Sequence, residues 1–159
     1  MPRTNIHATG LVLEDVGIIF RGPSGSGKSV LALQLIDEWE ARGLSAKLVS
    51  DDRVDIEAGK SGLTMYAAKE IGGLIELRGR GIVTRAFVSK APVHLVVDLV
   101  DKLERMVEED ELVTELGGIT LPRCPVPRAG VIDSRHQILL IREAIRALAP
   151  KTGRVKKTA

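Results

Sequence analysis

Apolar residues recur along the chain in short runs and in helical stripes, and these patterns predict alternating strands and helices. Residues 16–20 form a continuous apolar run, which is typical of a buried strand. Residues 30–42 predict a helix that ends at Gly43. Its apolar stripe consists of Ala32, Leu35, Ile36 and Trp39. Residues 46–50 predict a second strand, and a parallel crossover would bring its end to the same sheet edge as the end of the first.

The rest of the pattern predicts shorter strands and one more helix. Further apolar runs predict strands at residues 6–13, 54–56, 63–66, 74–77 and 93–100. The first of these would form an antiparallel hairpin with the strand at 16–20, and the last would be central. Ser134 is expected to cap a final helix that continues to about residue 149 and is closed by Pro150.

Two segments are less regular. Residues 104–115 are acidic and weakly periodic, which leaves helix and strand both open. Residues 119–127 contain Pro122, Pro125 and Pro127. Because proline lacks a backbone N–H, we expect this segment to form neither a regular central strand nor a helix interior.

Length and composition are those of one ordinary soluble globular domain. The chain has 159 residues, of which 44% are apolar and 28% charged. We therefore expect a single domain over residues 1–150, followed by a basic tail at 151–159 that is expected to be disordered. Aromatic residues make up 3% and the formal net charge is +2, so neither a base-stacking surface nor a nucleic-acid partner is expected.

The single cysteine, Cys124, excludes an internal disulfide and fits a reducing compartment. No apolar run reaches the length that spans a membrane, and the N-terminus lacks a signal-peptide pattern. We therefore expect a cytoplasmic protein without a membrane partner.

A phosphate-binding loop lies between the first predicted strand and helix. The pattern G-x-x-x-x-G-K-[ST] is complete in Gly22, Pro23, Ser24, Gly25, Ser26, Gly27, Lys28 and Ser29. Its glycines allow backbone N–H groups to approach phosphate oxygens. Lys28 would reach the β- and γ-phosphates, and Ser29 would ligate Mg²⁺. A glycine-rich turn that merely carries a lysine is disfavoured, because a strand and a helix flank the motif in the required order.

Three further groups are candidates for chemistry. Asp51 and Asp52 follow a predicted strand near the loop, so one could serve the metal and the other the acceptor hydroxyl, although aspartates also end strands in ordinary turns. Glu76 and Arg78 precede a glycine-punctuated loop, where they fit a metal ligand and a phosphate-facing arginine or simply solvated charges. His7 alone is read as a packed or surface residue.

These residues leave three functions open: a protein kinase, a kinase of a small hydroxylated metabolite, and a nucleotide-dependent switch without catalysis. The chain lacks an obvious arginine-rich lid, which disfavours the metabolite kinase. The aspartate pair supplies a candidate base that a switch would not need.

Four segments together resemble HPr kinase/phosphorylase. They are residues 7–13, the loop at 22–29, residues 50–54 and residues 76–83, in the same order and spacing. The last of them, Glu-Leu-Arg-Gly-Arg-Gly-Ile-Val, is much more family-specific than the loop. The resemblance covers about residues 5–148 and corresponds to a short form without an N-terminal domain.

The resemblance implies an activity, a substrate and an assembly. It implies ATP- and Mg²⁺-dependent phosphorylation of a serine on the phosphocarrier protein HPr, and a phosphate-dependent reverse reaction that yields pyrophosphate. It also implies a hexamer and a mixed α/β fold like the nucleotide-binding core of phosphoenolpyruvate carboxykinase.

The resemblance further assigns roles to individual residues. Asp51 would be the base in the forward direction and the acid in reverse, with His7 as its neighbour. Arg78 would lie near the transferred phosphoryl group. The metal would be bound by Ser29, Asp52 and Glu76.

One segment departs from the family pattern. In residues 120–128, Cys124 and Pro127 stand where arginines are expected. Arg123 and Arg128 are the candidates to replace them, and the reverse reaction is the function that this departure affects.

Overall fold

The computed structural model describes residues 2–68 and 72–152 as a layered α/β structure. Its strands are β1 (Thr4–His7), β2 (Thr9–Leu13), β3 (Val16–Arg21), β4 (Ala46–Ser50), β5 (Arg53–Gly59), β6 (Gly62–Ala67), β7 (Leu74–Leu77), β8 (Gly81–Thr84), β9 (Lys90–Pro92), β10 (Leu95–Val100), β11 (Val113–Leu116) and β12 (Ile119–Pro127). Its helices are α1 (Lys28–Ala41) and α2 (Ser134–Thr152), with a 3₁₀ turn at Glu109–Leu112.

The larger sheet is mixed and has the strand order β11-β12-β10-β3-β2-β4. Strand β10 runs parallel to both β3 and β12, whereas β2 runs antiparallel to β3 and β4. Because β2 is antiparallel to both β3 and β4, these two strands run in the same direction. The carboxyl ends of β3, β4, β10 and β12 therefore meet at one edge, and the predicted parallel crossover through α1 is confirmed.

The small sheet of four strands is antiparallel, with the order β1-β5-β6-β9, and packs on one face of the larger sheet. Strands β7 and β8 form a separate antiparallel hairpin. The core between the two sheets includes Ile19, Val49, Val54, Met65 and Val96. Helices α1 and α2 pack on the opposite face, over a second core that contains Phe20, Val97 and Ile141. The presence of both parallel and antiparallel pairs in the large sheet, with helices packed on it, confirms the expected mixed α/β fold.

Helix α1 forms where the apolar stripe predicts it. The four stripe residues are all buried. Gly43 follows with φ 77°, a left-handed conformation that glycine adopts without the penalty of a Cβ, and its N–H donates to Glu40 O over 2.9 Å. The predicted helix and its glycine end are thus confirmed.

The strand predicted at residues 6–13 is two strands in two different sheets. Strand β1 pairs with β5 in the small sheet, and β2 pairs with β3 in the large one. The chain passes from one sheet to the other at Ala8. The Ala8 N–H donates to Asp52 O over 3.1 Å, which lies outside the strand pairs of both sheets. The single strand was therefore a wrong prediction, whereas its hairpin with residues 16–20 is confirmed.

The proline-rich segment 119–127 forms the strand β12, which the sequence did not predict, but it is neither a helix interior nor a regular central strand. Residues 119–122 pair with β11, and residues 123–127 pair with β10. Each residue of β12 therefore pairs with a neighbouring strand on one side only, as in an edge strand, where proline is tolerated. The undecided acidic segment before it contains the 3₁₀ turn and β11.

Helix α2 begins and ends differently from the prediction. Asp133, not Ser134, caps it, because Asp133 Oδ1 accepts the His136 N–H over 3.0 Å. The helix continues past Pro150 to Thr152, so Pro150 does not close it. A proline in the last turn removes one hydrogen bond of the ladder, and the helix tolerates that loss. The remainder of the predicted tail, residues 153–159, lies outside the described residues. Among the residues described, no helix is long and apolar enough to cross a membrane.

Candidate functional site

The phosphate-binding loop connects β3 to α1 at the shared carboxyl edge of the large sheet. Gly25 and Gly27 have φ values of 81° and 97°, and a Cβ on either would meet no atom within 4 Å. The left-handed backbone and the open space beside it are what a loop needs in order to bring N–H groups close to a bound anion. The Ser26 N–H closes the turn onto Pro23 O over 3.1 Å.

Lys28 is buried in the first turn of α1, and its ammonium lies against the loop. Its Nζ donates to Gly22 O over 2.8 Å and to Pro23 O over 3.3 Å. Burial lowers the pKa of this ammonium, and the charges of Asp52 and Asp51 oppose that shift. A buried cation beside a glycine-rich loop at the start of a helix suits a phosphate ligand.

A cavity of about 420 Å³ lies over the loop, the end of β4 and the β7–β8 hairpin. This volume is in the usual range for sites of small molecules. The cavity brings together the predicted loop, both aspartates and the hairpin charges. Its lining includes Gly25, Gly27, Lys28, Ser29, Asp51, Asp52, Glu76 and Arg78.

Asp51 is held by three donors from three elements. Its Oδ1 accepts hydrogen bonds from Ser29 Oγ over 2.7 Å and from Thr9 Oγ1 over 3.1 Å. Its Oδ2 accepts the Glu76 N–H over 3.2 Å. The residue is only 8% exposed. Because the Ser29 hydroxyl donates its hydrogen to Asp51, the lone pairs of its oxygen can accept a cation in the cavity.

Asp52 is a non-glycine residue in the left-handed region, with φ 70°. Such a conformation costs about 1–3 kcal/mol and persists only where the surroundings hold it. The Asp52 N–H donates to Thr9 Oγ1 over 3.2 Å, and its carbonyl accepts the Ala8 N–H. The left-handed backbone at Asp52 turns its carboxylate toward His7, away from the direction of the Asp51 carboxylate, which faces Ser29.

His7 contacts Asp52. Its Nε2 lies 2.7 Å from Asp52 Oδ1, and the Asp52 side chain is 59% exposed. The resemblance implied that His7 is a neighbour of Asp51, and in the structure its hydrogen-bond partner is Asp52, the next residue. His7 is thus a partly exposed residue that contacts one member of the aspartate pair.

Glu76 and Arg78 lie on β7 and on the turn that follows it, and both are exposed at the cavity. In the part of the chain that the structure describes, no three His, Cys, Asp or Glu side chains are grouped to hold a metal ion. Mg²⁺ needs no such group, because it uses one or two carboxylates together with substrate phosphates and water. The hydroxyl of Ser29 and the carboxylate of Glu76 fit that requirement.

The remaining candidates lie away from the cavity. Arg123 Nε donates to Asp98 Oδ2 over 2.6 Å, and Arg128 Nε donates to Asp101 Oδ1 over 2.8 Å. Burial raises the pKa of the Cys124 thiol to about 12, against the opposing charge of Arg123, so its reactive thiolate is not available at neutral pH.

Sequence reasoning missed Thr9. It is a polar residue inside an otherwise apolar run, two positions after His7, and it contacts both aspartates. A polar residue at this position of a predicted strand was the signal that could have identified Thr9.

Comparison with known proteins gives a consistent result. The family described as HPr Serine kinase C-terminal domain matches residues 1–158. HPr kinase/phosphorylases of Streptococcus pneumoniae strains Hungary19A-6 and D39 are each 32% identical over 142 residues, which cover 79% of this chain and 42% of the relative. The chain thus spans about two fifths of the length of these curated relatives.

A solved structure has a similar fold. The Hpr(Ser) kinase/phosphatase from Coxiella burnetii superposes with a TM-score of 0.73 at 28% identity, covering 94% of this chain and 93% of that one. The match over nearly the whole sequence, together with the loop and the paired carboxylates, assigns the family. The chain belongs to the HPr serine kinase C-terminal domain family.

Proposed function

We propose that this chain transfers the γ-phosphoryl group of ATP to a serine of an HPr-type phosphocarrier protein. The observation that carries the proposal is that one cavity joins a complete phosphate-binding loop to an exposed carboxylate with a histidine partner. The loop supplies phosphate binding, and the carboxylate supplies a base for an acceptor hydroxyl. The similarity to HPr kinase/phosphorylases supplies the substrate class.

The nucleotide phosphates would bind the backbone of residues 22–29 and the ammonium of Lys28. Ser29 and Glu76 would hold Mg²⁺, which when bound neutralises charge on the phosphate oxygens. Asp51 stands behind Ser29 and fixes the direction of its hydroxyl. Arg78, exposed at the cavity, would meet the charge of the transferred phosphoryl group.

Asp52 is the better base on geometric grounds. A general base must reach the proton that it removes, and the Asp52 carboxylate is largely exposed at the cavity. The carboxylate of Asp51 is buried and already accepts three hydrogen bonds. His7 orients Asp52 through its ring nitrogen. This proposal exchanges the roles that the family resemblance implied for the two aspartates.

The family resemblance also supports three further proposals. The same carboxylate, once protonated, would act as the acid when inorganic phosphate attacks phosphoserine, which releases pyrophosphate. The chain would assemble as a hexamer, and it would work in the cytoplasm. The word phosphorylase in the relatives' names supports the first of these.

Transfer of label tests the proposal directly. The purified chain is incubated with γ-labelled ATP, Mg²⁺ and a purified HPr-type carrier, beside a carrier whose acceptor serine is alanine. We expect label on the first carrier only. Label on a small molecule when a metabolite extract is added would instead indicate a metabolite kinase. ATP binding without transfer to either acceptor would indicate a nucleotide-dependent switch.

A further inference from the structure

Thr9 is a fully buried polar residue at the start of β2, with 0% of its surface exposed. Its hydroxyl donates to Asp51 Oδ1 over 3.1 Å and accepts the Asp52 N–H over 3.2 Å. A threonine hydroxyl has one hydrogen and two lone pairs, so it can make both bonds at once. Thr9 is therefore a single group that contacts both members of the aspartate pair.

We propose that Thr9 is a positioning residue for phosphoryl transfer, whose hydroxyl holds the buried carboxylate and the exposed carboxylate in their separate directions. The inference rests on the proposed function, because it assigns Thr9 to the reaction of that same cavity. Thr9 itself does not line the cavity and would act through the two aspartates.

Three consecutive residues bind Asp52 from one side. The His7 ring contacts its carboxylate, the Ala8 N–H donates to its carbonyl, and Thr9 Oγ1 accepts its N–H. Together they fix the backbone and the side chain of a residue whose left-handed φ of 70° is unfavourable by itself. Of these three contacts, the one made by Thr9 also reaches Asp51.

The chain path makes this contact possible. Strand β1 leaves the small sheet at His7, and β2 enters the large sheet at Thr9. The turn at residues 51–52 makes the reverse passage, from β4 in the large sheet to β5 in the small one. Since both passages lie at the same place, the hydroxyl of one reaches the backbone of the other.

Packing alone does not require the hydroxyl. Valine has nearly the shape of threonine and favours strands equally, so it would fill the same space beside Phe20 in the β2–β3 register. It would leave the Asp52 N–H and one bond of Asp51 without their partner. Thr9→Val therefore separates the role of the hydroxyl from the role of the volume.

The experiment compares Thr9→Val and Thr9→Ser with the unmodified chain in the labelled-ATP assay. Thr64→Val on β6 is the matched control, because it makes the same change in a strand outside the cavity. We expect Thr9→Val to lower kcat by about tenfold to a hundredfold, the loss typical of a misplaced reacting group. The Kd for Mg-ATP should change much less than kcat, because the hydrogen bonds of Thr9 go to the two aspartates and not to the loop or to Lys28.

Thr9→Ser keeps the hydroxyl and loses the methyl group, so it should recover most of the kcat even if it melts at a lower temperature. A merely structural role predicts the opposite order, with kcat following thermal stability. Equal loss of kcat in both variants, or full kcat in Thr9→Val, overturns the proposal.

A second readout does not depend on transfer activity. Hydrogen exchange at the Asp52 amide, followed by NMR, should accelerate in Thr9→Val and remain slow in Thr9→Ser and Thr64→Val. Unchanged exchange in Thr9→Val overturns the positioning role. If the unmodified chain labels no carrier while exchange follows this order, the proposed function fails and the contact of Thr9 with Asp52 stands.

Discussion

Asp51 and Asp52 are neighbours in sequence with different surroundings. The left-handed φ at Asp52 directs its carboxylate outward to His7, whereas the Asp51 carboxylate is buried against Ser29 and Thr9. Proton transfer needs an accessible carboxylate, and orientation of a metal ligand needs a fixed one. Under the proposed function, one backbone dihedral angle divides two identical side chains between these two tasks.

Amide substitutions test this division. Asp52→Asn should lower kcat by about 10²–10⁴-fold, because an amide cannot accept the serine proton, and should leave Mg-ATP affinity nearly unchanged. Asp51→Asn should weaken Mg-dependent ATP binding as well, because it disturbs the Ser29 hydroxyl. Steady-state kinetics and calorimetry with and without Mg²⁺ measure both effects. Collapse of ATP affinity in Asp52→Asn alone would return the base role to Asp51.

Lys28 tests the loop. Lys28→Ala removes the buried ammonium, and charged hydrogen bonds of this kind contribute about 1.5–3 kcal/mol, so ATP affinity should fall at least about tenfold. Transfer should be lost while the circular dichroism spectrum is kept. Lys60→Ala, in the exposed turn between β5 and β6, is the control. Unchanged ATP binding in Lys28→Ala would remove this residue from the site.

At the scale of elements, an ionic cluster joins the parallel strands beside the loop. Asp98 on β10 accepts a bidentate pair of hydrogen bonds from Arg21 on β3, at 2.7 and 2.8 Å, and a third from Arg123 on β12. Burial opposes the charge of Asp98, but the hydrogen bonds and charges of both arginines hold its pKa below the ordinary value. Arg21 directly precedes the loop, so the cluster fixes the strand from which the loop begins.

The depressed pKa of Asp98 predicts a pH dependence of stability. A carboxylate with a lowered folded-state pKa stabilises the fold above its unfolded pKa of about 3.9, and that contribution is lost as pH falls through the folded value. Asp98→Asn should therefore lower the free energy of unfolding by about 1.5–3 kcal/mol at neutral pH. The difference from the unmodified chain should shrink below about pH 4.

Urea unfolding at a series of pH values measures this difference. Asp101→Asn is the control, because its exposed pair with Arg128 should contribute at most about 1 kcal/mol. A difference for Asp98→Asn that stays constant down to about pH 3 would contradict the assignment.

At the scale of the whole molecule, the candidate site lies where the chain crosses between the large six-stranded sheet and the small four-stranded sheet. His7 comes from the end of β1 in the small sheet, and Asp51 follows β4 in the large one. The loop follows β3, whose carboxyl end shares one edge of the large sheet with those of β10 and β12, since these strands are parallel. The layered packing therefore gathers residues from distant parts of the sequence around one cavity.

The proposed reverse reaction would need an arginine in the place where the family pattern has one. Arg123 is held by Asp98 and by Glu111 O, whereas Arg128 is exposed and makes a surface ion pair with Asp101. We expect weak phosphate-dependent release of pyrophosphate from phosphorylated carrier, with Arg128 in the role of the expected arginine. Arg128→Ala should remove the phosphate dependence and retain the forward reaction, and Arg123→Ala should mainly lower stability.

Pyrophosphate release with and without inorganic phosphate measures this activity, and Arg146→Ala on the exposed face of α2 is the control. Absence of phosphate dependence in the unmodified chain would mean a kinase without the reverse reaction. Loss of phosphate dependence in Arg123→Ala at full stability would assign the role to that residue instead.

The sequence by itself determined the features that depend on local pattern. The phosphate-binding loop, helix α1 and the run of β7 follow from residue spacing and glycine positions, and they were predicted close to their observed bounds. The approach of Asp51 to the loop followed from the direction of a parallel crossover. These features need only a short stretch of chain and the handedness of its connection.

Only the tertiary structure decided which side chains meet. His7 and Asp52 are 45 residues apart, and their contact follows from the pairing of β1 with β5 and from the left-handed φ at Asp52. The local sequence pattern predicts neither this strand pairing nor this dihedral angle. The same holds for β12, where strands on alternate sides make room for its prolines, and for Thr9, whose hydroxyl has partners only once the two sheet crossings lie together.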